Sequence, residues 1–197
     1  MKLIVNESTD LHQEAILIIE KEKEYLNYIE EHIGNVKLAY QTFLVPLLSN
    51  EISCNTVSES TLKEAIKLAE QRIQIHDESK YSDEEFKPYR VHHHPTRIEL
   101  QLDEDTKNEN ERLYEKAWEH HYRNNDHHPQ YWKKEDGSME DMSLDAIVEM
   151  ICDWEAMGIK FKSNTIEWWN KAEKEKSFMT DKTKEIVDEI LGIIHNS

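Results

Sequence analysis

The chain has 197 residues, the size of one ordinary domain. Its 24 basic residues against 41 acidic ones give a formal charge of −17. That charge disfavours unspecific contact with nucleic acid or anionic membrane, and a small anionic substrate would need a metal or a local basic group to bind. Only 4 Gly and 4 Pro are present, too few for the tight turns of a sheet-rich protein, whereas 5 Trp, 8 Tyr and 4 Phe can fill a helical core.

Residues 1–10 read as an amino-terminal arm or a short edge strand, and 11–197 as a single all-α domain. From about Leu11 to Leu48 the pattern is helical, with a break expected at Gly34. Tyr25, Tyr28, Ile29, His32, Val36, Ala39, Tyr40 and Phe43 make one stripe, and His32 lies inside it. Pro46 and the stretch Ser49 to Ser60 mark a loop. Ser60 or Thr61 can cap the next helix, with Glu64 completing a capping box. Leu62, Ala65, Ile66, Ala69 and Ile73 form its inner face, which runs on to His76-Asp77. Ser82 to Phe86 reads as a short helical turn. Pro88 to Thr106 reads as a long connection, its His92-His93-His94 a loop cluster suited only to adventitious binding.

The next helix is expected over about Lys107 to Asn125, with Leu113, Tyr114, Ala117, Trp118 and Tyr122 apolar, and it stops near Pro129. Lys133 to Ser138 is a solvated turn. Ser143 caps a helix bearing Ala146, Ile147, Met150, Ile151, Asp153, Trp154 and Met157, with a stop at Gly158. Asn164 caps a short helix with Trp168 and Trp169. Thr180 caps the last one, whose apolar face is Ile186, Val187, Ile190, Leu191 and Ile194. The sum is six or seven helices and no sheet. The Glu-Lys runs at Glu20 to Glu24 and Glu173 to Lys176 are solvated faces. No apolar run approaches the ~20 residues that span a bilayer. Cys54 and Cys152 read as reduced thiols or as one bridge, and the first residues are too short for a signal peptide, so cytoplasm is the expected compartment.

Four segments present metal-type ligands from largely apolar faces: His32, the pair His76-Asp77, the run His120 to His128, and Asp153. A neutral imidazole nitrogen beside a carboxylate suits a divalent metal of intermediate hardness. His120 and His127, like His121 and His128, are seven apart and would share a face on a continuing helix, with Asn124 or Asn125 between them. His120 and His127 are favoured as the inward members, because His120 continues the stripe of Leu113 and Ala117. The bland alternatives are a hydrogen-bonded core histidine at His32, helix-end residues at His76 and Asp77, a buried Asp153 paired with Arg112 or Arg123, and a partly exposed helix end at His120 to His128. The five Trp read as core or pocket wall.

The order His … His-Asp … Asp resembles the HD-domain metal-dependent phosphohydrolase superfamily. The resemblance implies an all-α bundle in which His32, His76, Asp77 and Asp153 hold a divalent metal and Lys80, three residues after Asp77, contacts substrate phosphate. Members with further metals insert extra histidines where His120, His121, His127 and His128 stand. The middle cluster lacks the Gly-Tyr-Pro signature of the cyclic-dinucleotide-cleaving branch. A closer resemblance runs from about Tyr25 to Leu191. His76-Asp77-x-Ser79-Lys80 with Glu85-Phe86-x-x-Tyr89, Ala117-Trp118-x-His120-His121 through Asn125, His127-His128 and Tyr131-Trp132, and Met150-x-Cys152-Asp153-Trp154 are similar to an uncharacterised bacterial and phage family, a domain of unknown function.

The expectation is a metal-dependent phosphohydrolase in a bacterial or phage-infected cytoplasm, attacking a small phosphorylated molecule, foremost a nucleotide, with metal-bound water. One or two ions of Mn, Fe, Co, Ni or Zn, or else Mg, would serve it. Asp77 could bridge two of them, since a carboxylate has two oxygens. Lys80 would neutralise phosphate, and Asn125, Tyr131 and Trp132 would line the substrate. Neither nucleic acid nor membrane is an expected partner, and a homo-oligomer is allowed. Two rivals are a non-catalytic module that sequesters a nucleotide or other small ligand, and a di-iron-type protein doing oxygen chemistry. The lack of a clear Glu-x-x-His pair weighs against the second.

Overall fold

A computed structural model describes residues 7–196, with side chains over 12–195. The described residues hold eight α-helices and no strand, only an isolated bridge between Lys133 and Met139. The all-α reading holds. No described helix is long and apolar enough to cross a membrane. Of the arm expected over 1–10, residues 1–6 lie outside the described residues and 7–10 already belong to the first helix.

The helices are α1 (Glu7–Ala39), α2 (Glu59–Gln74), α3 (Phe86–His93), α4 (Glu104–Asn124), α5 (Leu144–Phe161), α6 (Thr165–Trp169), α7 (Glu173–Lys176) and α8 (Asp181–Asn196). The described residues group into two compact units. Unit 1 takes α1 up to Glu30 together with Ser79–His121; unit 2 takes Glu31–Glu78 together with the residues from Tyr122 onward.

Unit 2 is built around α5. Ala146, Ile147, Val148, Met150, Ile151, Cys152 and Ala156 are all buried, so α5 is apolar nearly all round, as a central helix must be. Its main neighbour is α2, whose Leu62, Ala65, Ile66, Ala69 and Ile73 are buried as their spacing predicts. α8 packs on α5 through Ile186, Val187, Ile190 and Leu191. Each such aliphatic side chain contributes about 1.5–3 kcal/mol by leaving water. After Ala39 the chain continues as a π-turn, Tyr40–Leu44, and a 3-10 turn, Val45–Leu48, that contains Pro46. Tyr40 ties this segment to α2 by donating its buried hydroxyl to Ile66 O at 2.8 Å.

Unit 1 holds the earlier part of α1, α3 and α4. Tyr25 packs its ring 5.2 Å from Phe86. Buried Arg90 donates to Glu99 Oε2 at 2.5 Å, and the Thr96 amide donates to the same oxygen at 2.7 Å, which closes the turn after α3.

Several local expectations are corrected. α1 passes through Gly34 without a break, and nothing crowds that position. The cap of α2 is Ser58, whose Oγ accepts from the Thr61 amide at 3.1 Å, not Ser60 or Thr61. The connection Pro88 to Thr106 contains α3, because Pro88 sits in the first helical turn, where its missing N–H costs nothing. His92 and His93 therefore end a helix and do not float in a loop. α5 does not stop at Gly158; it runs to Phe161 and ends at Lys162 in the left-handed region, φ 52°. The caps Ser143, Asn164 and Thr180 each accept a first-turn amide as expected. Cys54 and Cys152 are free thiols.

Candidate metal centre

Unit 2 gathers the site from four of its segments. α1 supplies His32 from its buried stripe, one helical turn before Val36. α2 ends at Gln74, so His76 and Asp77 lie just past it in a turn. Asp77 has φ 57°, a left-handed conformation that Asp tolerates better than most residues. α5 supplies Glu149 and Asp153, four apart and so on one face. The loop after α4 supplies His127 and His128.

Four atoms from this set converge. His32 Nε2 lies 3.4 Å from His76 Nε2, 3.4 Å from Asp77 Oδ2 and 3.1 Å from Asp153 Oδ1. His76 Nε2 lies 3.5 Å from Asp77 Oδ2 and 4.0 Å from Asp153 Oδ1. Ligands at about 2.1 Å from one cation stand about 3.0 Å apart on an octahedral edge and about 3.4 Å on a tetrahedral one. The spacings among His32, His76 and Asp77, 3.4–3.5 Å, lie at the tetrahedral value, and these three form a group able to hold a metal ion; Asp153 is 3.1 Å from His32 but 4.0 Å from His76, so it would close in to complete the set. Two imidazoles with two carboxylates suit a borderline transition metal better than an all-oxygen ion such as Mg²⁺ or Ca²⁺.

A carboxylate missed in the sequence supports this group. Buried Glu149 places Oε1 2.9 Å from His76 Nδ1 and 3.2 Å from His127 Nδ1. Its Oε2 accepts from Arg72 Nε at 2.8 Å, and the same guanidinium is paired with Asp126 and, at 3.3 Å, with Asp145. His127 turns its other nitrogen to Asp77, with Nε2 3.5 Å from Oδ1. The sequence did hold a signal: Glu149 is a lone charge within Ile147-Val148-Glu149-Met150-Ile151, four residues before Asp153, and Arg72 stands four before His76.

Burial alone would raise both acids, yet both sit below the usual carboxylate range. At Glu149 hydrogen bonds from His127 and His76 outweigh burial. At Asp153 the His32 hydrogen bond and the nearby imidazoles do so. Asp153 therefore faces His32, not Arg112, which pairs with Glu109. Both acids are anionic: Asp153 brings its charge to the Nε2 atoms of His32 and His76, and Glu149 brings its charge to the Nδ1 atoms of His76 and His127.

The remaining expected residues fall as follows. His127 is buried and His128 half-buried, their ring centres 4.3 Å apart. Asn125 accepts the His128 amide through its backbone oxygen at 3.1 Å. Trp132 donates Nε1 to Asp126 O at 2.6 Å and packs on the core, while Tyr131 is exposed and edge-on to it. In unit 1, His120 and His121 both point Nδ1 at buried Glu85, at 2.7 and 2.8 Å. Ser79 Oγ is 3.3 Å from His121 Nδ1. Lys80 sits on the 3-10 turn Glu78–Tyr81. The inward member of the first doublet is His121, 1% exposed, whereas the His120 side chain is 35% exposed, because the buried stripe of α4 runs from Ala117 to His121. α4 ends at Asn124, so the seven-residue spacing to His127 and His128 does not place them on one helical face.

The chain belongs to a family of unknown function (DUF5662), whose profile it matches over residues 21–193. No curated protein and no solved structure matches it.

Proposed function

We propose that this chain is a cation-dependent phosphohydrolase of the HD type, acting on a small phosphorylated molecule, with nucleotides as the first class to test. One observation carries the reading. In unit 2 the Nε2 atoms of His32 and His76 lie 3.4 Å apart, and each stands 3.1–4.0 Å from one oxygen of Asp77 and one of Asp153, in the chain order His … His-Asp … Asp. A divalent cation held there would supply Lewis acidity toward a phosphoryl oxygen and would lower the pKa of an attacking water. Manganese, iron, cobalt, nickel or zinc fits the donor set.

The residues divide the work. Asp77 and Asp153 provide the charge that holds the cation, and His32 and His76 provide directional nitrogen donors. Asp77 keeps its second oxygen facing His127, so the same carboxylate can serve a second cation, with His127 and His128 as its imidazoles. Lys80 is the point donor to phosphate that the HD resemblance assigns, in a chain whose −17 charge otherwise repels anions. Asn125, Tyr131 and Trp132 are the substrate wall in this reading.

The test is a hydrolysis screen. Chelator-treated protein is reloaded with Mn²⁺, Co²⁺, Ni²⁺, Fe²⁺ or Zn²⁺ and offered nucleoside mono-, di- and triphosphates, with phosphate and pyrophosphate release followed. Release that requires the cation and is abolished in Asp77→Ala is the expected result. Tight nucleotide binding with no release under any cation overturns the hydrolase reading in favour of a sequestering module.

A further inference from the structure

We infer that Glu149 is a shared positioning residue that fixes the imidazoles of His76 and His127 together, and that Arg72 is the clamp that fixes Glu149. The inference rests on the cation-site reading above and names how that site is kept in order.

One oxygen of Glu149 faces two rings: Oε1 is 2.9 Å from His76 Nδ1 and 3.2 Å from His127 Nδ1. A carboxylate oxygen accepts and cannot donate, so each ring places its proton on Nδ1. That leaves each Nε2 with its lone pair outward, the form that binds a cation. The two Nε2 atoms then meet opposite oxygens of one residue. His76 Nε2 is 3.5 Å from Asp77 Oδ2, and His127 Nε2 is 3.5 Å from Asp77 Oδ1. The rings are 4.5 Å apart at 35°. Glu149 thus sets the tautomer and the aim of the donors on both sides of Asp77.

Arg72 removes the remaining freedom. Its Nε donates to Glu149 Oε2 at 2.8 Å, while its other nitrogens are engaged by Asp126 and Asp145. Glu149 is 4% exposed, with a guanidinium on one oxygen and two rings on the other. A purely structural ion pair would need only the Arg72 side. The contact of Oε1 with both rings is what a positioning role requires in addition.

Two measurements test this. The first is a proton–nitrogen correlation spectrum of the imidazoles in cation-free wild-type protein at alkaline pH. Nδ1–H tautomers are expected at both His76 and His127; an Nε2–H tautomer at either ring overturns the inference, whether or not the protein binds metal. The second is Co²⁺ titration of Glu149→Gln, read by absorbance and calorimetry. Glutamine offers one carbonyl and one amide, so it can satisfy the rings or Arg72 but not both. The expected loss is about 10–100-fold in Co²⁺ affinity, the usual effect of removing an outer partner of a ligating histidine. Wild-type affinity in the variant overturns the inference. A wild-type protein that binds no cation overturns the function proposed above instead, and the tautomers alone then decide the role of Glu149. If the variant does not fold, they decide it likewise.

Discussion

His32 and His76 bring their Nε2 atoms within 3.4 Å of each other at a point where both rings are buried. Two ring nitrogens so placed either share a proton or turn two lone pairs on one another. Asp77 Oδ2 and Asp153 Oδ1 add negative charge at the same point. A cation held by His32, His76, Asp77 and Asp153 would relieve the arrangement by taking up these lone pairs. Removing bound cation should therefore lower stability. At free cation about 1,000-fold above Kd the stabilisation is about 4 kcal/mol, a melting shift near 10 °C for a chain of this size. Differential scanning fluorimetry with and without chelator reads it. Identical melting in both states would contradict a bound ion.

Asp153 is placed to ligate through Oδ1, 3.1 Å from His32 Nε2. Asp153→Asn keeps the shape and removes the charge. Cation affinity should fall by at least about 100-fold, the upper end of what even an outer-partner change costs. The cation-free protein should lose only about 1 kcal/mol, the scale of one hydrogen bond. Titration of Mn²⁺ followed by paramagnetic resonance separates the two effects. Equal affinity in the variant would assign Asp153 a structural role.

Away from the centre, Glu189 on α8 pins the loop before α2. It accepts from the Asn55 amide at 2.8 Å, the Thr56 amide at 3.0 Å and the Cys54 thiol at 2.7 Å. Burial pushes its carboxyl up, but these bonds together outweigh it and hold the carboxyl down at about 2. The folded value lies below the ordinary carboxylate value, so the contribution is full above about pH 4.5 and is lost as pH falls toward 2. Glu189→Gln should cost about 1 kcal/mol at neutral pH, discounted for a partly exposed site, and the difference from wild type should vanish in acid. Urea midpoints across that range check it.

Gly158 lies inside α5 beside the start of α6. A Cβ there would stand 3.1 Å from Ser163 O and 3.1 Å from Thr165 Oγ1. Ser163 O is backbone in the turn whose amide bonds Gly158 O at 3.0 Å, so it has little room to retreat. Gly158→Ala should be destabilising by about 1 kcal/mol, even though alanine favours the helix by a similar amount. Chemical denaturation decides the sign, and a more stable variant would show that the turn yields.

Helical spacing made much of unit 2 legible. The apolar positions of α2 and α8 are buried as read, and His32 stood out as a polar residue inside an apolar stripe. The pairs that geometry makes were harder to see. Glu149 went unread: its lone charge in an apolar run is a signal, but spacing alone cannot tell that this part of α5 is buried nearly all round. Its partners His76 and His127 are 73 and 22 positions away in the chain, beyond any local pattern. α3 was hidden by Pro88, which reads as a breaker but is harmless in a first turn. The choice between His120 and His121 turned on one residue of helical phase, about 100° of rotation, and exposed Leu113 misled it.

The most direct measurement is the metal content of untagged protein by elemental analysis, beside Asp77→Ala. One or two equivalents of a transition metal in the wild type, lost in the variant, is the predicted result. No metal in either, even after Mn²⁺, Fe²⁺, Co²⁺ or Ni²⁺ is added, would contradict the account and leave His32, His76, Asp77 and Asp153 as a buried polar cluster alone.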